Sequence, residues 1–112
     1  MNISGVRLGG SLPRTEGLNG LPSIQDELTS EPSKMHVAVI VFDVASTKVD
    51  TDTGDAIPTI RVRRVEPIGR SDDRKQLERL VMRAFEERTG TTVLPLELED
   101  ELRAAFGNDS TE

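Results

Sequence analysis

The chain has 112 residues, 35% of them hydrophobic and 30% charged, with a net charge of −6. It has no cysteine, no tyrosine and no tryptophan, which excludes disulfides, thiolate metal sites and thiol catalysis and removes most stacking platforms for single-stranded nucleic acid. No apolar run has the length of a membrane span, and no basic region followed by an apolar stretch marks a secretory signal, so the expected setting is cytoplasmic, without membrane association.

Residues 1–34 read as a leader. Ile3, Val6, Leu8, Leu12, Leu18 and Leu21 are isolated among Gly, Pro, Ser and Asn and hold neither the helix nor the strand period. Such a segment buries too little surface to offset its ordering entropy, so it is expected to be mostly disordered. The exception is 23–30, where a serine and Gln25–Asp26–Glu27–Leu28 favour one or two helical turns.

The strongest strand pattern follows in HVAVIVFDVAS, 36–46. Val37 to Phe42 is an unbroken, largely β-branched apolar run, which predicts a strand covered on both faces. A second strand is predicted over 59–66, where Ile60 and Val62 alternate with Arg61 and Arg63. A bulge at Arg63–Arg64 would return Val65 to the apolar face, and Pro58 and Pro67 would bracket the strand. Between the strands lies VDTDTGDA. Counted from Asp50, it has glycine rather than an oxygen ligand at position five and Arg61 rather than glutamate at position twelve, so it fails as an EF-hand. It reads as a solvated acidic hairpin tip, with Gly54 supplying the positive φ.

After Gly69 the period changes to that of a helix. A cap is expected at Ser71 or Asp72, Gly90 is the stop, and Leu77, Leu80, Val81, Ala84 and Phe85 form one apolar face. Pro95 opens a second helix with Leu98, Leu102, Ala105 and Phe106 on its apolar face and Gly107 as its close. The expected fold is therefore α+β: an antiparallel β-hairpin and two amphipathic helices (ββαα) over 35–107, with a frayed tail at 108–112. Two strands make a poor sheet. The second apolar face of the first strand thus needs a cover, by helices on both sides or by a homodimer built through the hairpin.

No catalytic constellation emerges, and no cofactor or metal site is read. The lone histidine, His36, is expected to be a strand-end residue with a hydrogen-bonded ring. Asp43 interrupts an apolar face and is expected to pair across the hairpin with Arg63 or Arg64. Charge is polarised. Residues 61–79 carry seven basic and four acidic side chains, whereas 80–112 carry three and eight. Arg61, Arg63, Arg64, Arg70 and Arg74 are therefore the candidate partner-binding residues. Three readings compete: the basic half of a protein interface, a phosphate-binding stripe for nucleic acid, and a set of ordinary intramolecular pairs; the acidic total and the lack of aromatics weigh against nucleic acid.

The segments HVAVIVFDV, TIRVRRVE, a helix ending RTG, and VLPLELEDELRAAF give Met35–Phe106 a sequence that resembles small accessory proteins encoded by bacteriophages of actinobacteria. The resemblance implies a bacterial cytoplasmic setting and a non-enzymatic helper role, and it carries over no active residues. The expectation is a non-catalytic interaction or regulatory module acting on a protein not yet identified, host or self.

Overall fold

The computed structural model describes residues 5–92 and 95–106. The chain divides into two compact units, Met1–Gln25 with Ala38–Glu66, and Asp26–Val37 with Pro67–Glu112.

The first unit is built on a sheet. Strand β1 is Arg7–Leu8, β2 is Val37–Val49 and β3 is Ala56–Ile68, in the order β1-β3-β2. β3 is central. β1 runs parallel to it, with Arg7 beside Thr59 and Leu8 beside Ile60. β2 follows the β-branched run, and the loop at 50–55 returns the chain to β3. Asp50 N–H donates to the Asp55 carbonyl at 2.8 Å, and Gly54 takes φ 79°. Asp50 Oδ1 accepts from the backbone N–H groups of Asp52 and Thr53 at 2.8 and 3.1 Å, which is how a short acid closes a turn.

The element order differs from the expected ββαα because the segment before Met35 contributes structure. Two 3₁₀ turns, Glu16–Leu18 and Leu21–Ile24, follow β1. Backbone bonds tie the segment down, and its Leu18, Leu21 and Ile24 are half-buried. Gly9 N–H donates to the Ile60 carbonyl and Gly20 N–H to the Val65 carbonyl, each at 2.8 Å. Asn19 forms a parallel bridge with Val65. The prolines do not bracket the second strand as expected; Pro58 and Pro67 both lie inside β3. They flank the stretch that β3 shares with β1 and Asn19, where an absent donor costs least.

The second unit holds the helices. α1 is Gln25–Ser30, within the stretch expected to turn, and Lys34 Nζ pairs with the Glu27 carboxylate. α2 is Arg74–Thr89 and α3 is Leu96–Phe106. A 3₁₀ turn at Ser71–Asp73 enters α2, so neither Ser71 nor Asp72 serves as its N-cap. The N-cap position is Asp73, without a side-chain capping bond. α2 ends at Gly90, φ 76°, whose N–H donates to the Glu86 carbonyl at 2.7 Å. Glycine suits this left-handed cap because a side chain is strained there. The Pro95 carbonyl accepts from Leu98 and Glu99 at the start of α3. Gly107 and residues 108–112 lie outside the described residues.

Leu102, Ala105 and Phe106 form the core of this unit, packed against Val37, Ile68, Leu77 and Leu98. Of the apolar face expected on α2, Leu77, Val81 and Phe85 are half-buried, whereas Leu80 and Ala84 are exposed. Positions 77, 81 and 85 lie four apart, so the helix buries a stripe narrower than its sequence offers. Among the described residues the buried hydrophobics are Val62, Val65, Leu102, Ala105 and Phe106 alone. That is a thin core for a chain of this size.

Candidate functional site

Each candidate arginine has a definite place. Arg61, Arg63 and Arg64 lie on β3 in the first unit; Arg70 and Arg74 belong to the second. The Arg61 guanidinium grips Asp43 with two parallel hydrogen bonds, Nε to Oδ1 and Nη2 to Oδ2, both 3.0 Å. Arg63 Nε stands 3.9 Å from the same carboxylate. Arg64 Nη1 donates to Glu66 at 2.8 Å and to the Gly17 carbonyl at 3.2 Å. Arg70 pairs with Asp72 at 3.0 Å, and Arg74 with Glu78 at 3.5 Å along one face of α2. The acid expected to bond Arg63 or Arg64 thus bonds Arg61 chiefly, with Arg63 its more distant partner.

These pairs decide what the basic stripe can do. All five arginines already face a carboxylate, so an incoming phosphate would have to compete with an acid at every position. The forked bonds from Arg61 hold the Asp43 carboxyl below the ordinary carboxylate range, helped by the charges of Arg61 and Arg63, while partial desolvation opposes the shift. The same bonds raise Arg61 above its usual value. Charge-assisted and bidentate, this is the strongest type of exposed pair. It fixes β2 against β3.

A cleft of about 460 Å³ opens beside these residues, lined by 9–15, Leu18, Ala45 and Arg61–Arg63. Arg14 joins Arg61 and Arg63 there. Sequence reasoning missed Arg14 because it treated the leader as unstructured. Nothing in the residues around Gly9 announces the parallel pairing that brings it in.

His36 also departs from expectation. Its ring is half-buried, and Nε2 is buried without a hydrogen-bond partner. Among the described residues no group of three or more His, Asp or Glu is arranged to hold a metal ion. No described helix is long and apolar enough to cross a membrane.

The most unusual surface lies on β2. The sequence led to a strand covered on both faces; within the single chain both faces of β2 are open. Val39, Ile40, Val41, Phe42 and Val44 are each between 43% and 53% exposed. Val39 and Val41 point to one side of the sheet, Ile40, Phe42 and Val44 to the other. β2 is also an outer strand, with no strand beyond it among the described residues. Its stretch 37–42 carries no charge, proline or glycine, the usual means of blunting an edge. An apolar surface on both faces of an unguarded edge suits strand addition by another chain: backbone groups supply hydrogen bonds, and alternate side chains fill two apolar layers. Asp43 marks where this surface turns polar, and its bond to Arg61 keeps that charge occupied.

No family model matches the chain, and neither curated proteins nor solved structures give a significant match.

Proposed function

We propose that the chain is a non-catalytic protein-interaction module whose binding element is the outer strand β2. The observation that carries this reading is the run of large apolar side chains exposed on both faces of that strand. The thin core supports it too, since apolar area left uncovered in one chain is area that a partner can cover. The paired arginines fit a role in rigidifying the sheet behind β2 better than a role in gripping phosphate. In this reading the module acts on a host or self protein in a bacterial cytoplasm, as the likeness to bacteriophage accessory proteins implies.

The test compares the wild-type chain with a Phe42→Asp variant. Each is immobilised and offered a tagged second copy and a bacterial extract. Stoichiometric retention of a polypeptide by wild type and not by the variant supports the reading. Equal retention by both, or none by either, refutes it.

A further inference from the structure

The cleft beside β3 collects positive charge that the ion pairs of the first unit leave unused. Arg14, Arg61 and Arg63 line it, and no carboxylate does. Asp43, outside the lining, occupies Nε and Nη2 of Arg61. It reaches Arg63 Nε only at 3.9 Å, beyond hydrogen-bond length. Arg14 makes no hydrogen bond or ion pair among the described residues. It is therefore free of the competition that the other arginines impose on an incoming anion. Three guanidinium groups thus meet at one cleft with a single acid among them, in a chain whose net charge is −6.

The loop along one side of the cleft adds neutral donors. It is anchored at both ends, where Gly9 N–H donates to the Ile60 carbonyl at 2.8 Å and Leu18 N–H to the Thr15 carbonyl at 2.9 Å. Between these anchors the backbone N–H groups of Gly10, Ser11, Leu12 and Arg14 have no acceptor among the described residues. Successive N–H groups in a loop are a common way of holding an anion, and the Ser11 and Thr15 hydroxyls lie in the same lining. Leu12, Leu18 and Val62 make the rest of the wall apolar, and no lining side chain is aromatic. A stacked base therefore has no platform here, whereas an aliphatic chain has a surface to cover. The volume, about 460 Å³, is that of a small-molecule site.

We infer that this cleft binds a small organic anion. Its oxyanion is held by Arg14 and Arg63, and its short aliphatic body lies against Leu12, Leu18 and Val62. Carboxylate and phosphate share the paired oxygens that a guanidinium fork matches. Arg61 stays on Asp43 and contributes its charge. A bound anion bridges the segment before β2 to the central strand, because Arg14 belongs to the first and Arg63 to the second. The inference goes beyond the reading of β2 as an interaction surface and does not depend on it.

The test is a titration of the full-length chain, labelled with nitrogen-15, at low salt. Hexyl phosphate is compared with inorganic phosphate, and hexanoate with acetate, each up to about 10 mM, which detects millimolar binding. The expected result is a saturable shift of the amides in 9–15 and 61–63 with hexyl phosphate, hexanoate or both, each tighter than its short counterpart. A response to hexyl phosphate alone assigns the oxyanion as phosphate, and a response to hexanoate alone as carboxylate. Arg14→Gln should weaken binding about tenfold, as loss of a charged hydrogen-bond donor does. Arg83→Gln removes the same charge from an exposed site on α2 and should change binding by less than about twofold. Neither side chain is buried, and unshifted amides elsewhere confirm that both variants fold. The absence of a saturable shift at 9–15 and 61–63 overturns the inference. So do equal losses in the two variants, or organic anions that bind no tighter than their short counterparts.

Discussion

Gly9→Ala tests whether the first 25 residues belong to the sheet. A Cβ placed on Gly9 would lie 2.9 Å from the Ile60 backbone oxygen, where ordinary contacts begin near 3.4 Å, so the strand must shift by about 0.5 Å. That oxygen also accepts the Gly9 N–H at 2.8 Å. β1 pairs with β3 through only Arg7–Thr59 and Leu8–Ile60, so it has little length over which to absorb the shift. Overpacking of this kind costs about 1–3 kcal/mol. Gly10 is the matched control, because a Cβ there meets nothing within 4 Å; alanine at that site should be neutral or slightly stabilising through the unfolded chain. Trypsin reads the difference, since Arg7 and Arg14 both lie in the segment. Where cleavage follows the opened population, each 1.4 kcal/mol raises the rate about tenfold. Cleavage at Arg7 and Arg14 should accelerate about five- to a hundredfold in Gly9→Ala and stay within about twofold in Gly10→Ala. Equal rates in all three proteins would refute the docking of this segment on β3.

Other substitutions probe the rest of the structure. Leu102→Ala removes a side chain 3% exposed at the centre of the helical core, so urea denaturation should show a loss of about 2–5 kcal/mol. Gly54→Ala forces an L-residue to φ 79° and should cost about 1–2 kcal/mol by the same assay. Asp43 and Asp50 both titrate below the ordinary carboxylate range, Asp43 through Arg61 and Asp50 through the N–H groups of Thr53 and Asp52. A depressed folded-state pKa contributes stability above the unfolded value and loses it as pH falls through the folded one. Denaturation midpoints should therefore decline on the acid side of the normal aspartate range, and an Asp43→Asn, Asp50→Asn variant should flatten that decline.

Much of the local structure was legible in the residues. The β-branched run marked β2, the Ile60–Val62 alternation marked β3, and Gly54 and Gly90 marked the two places among the described residues where the backbone turns left-handed. These signals are short-range, because side-chain period and glycine conformation act within a few residues. What was hidden depends on distant partners. β1 is two residues long and shows no period. Its hold on β3 passes through the backbones of Gly9 and Gly20, which leave no mark in residue type. The choice of Arg61 as the chief partner of Asp43, and the arrival of Arg14 in the cleft that Arg61 lines, depend on pairing between distant segments that residue types do not announce. The apolar run on β2 announced that something must cover it, yet Val39–Phe42 and Val44 stay about half exposed within the chain.

The central claim is that β2 is an edge awaiting a strand. Hydrogen exchange at the backbone amides of 37–45, followed from 1 to 100 µM protein, tests it most directly. Amides of β2 that face away from β3 should slow markedly as concentration rises or on addition of bacterial extract, while those of α2 remain unchanged. Exchange on β2 that is equally fast at every concentration, and stays so after addition of bacterial extract, would contradict the account.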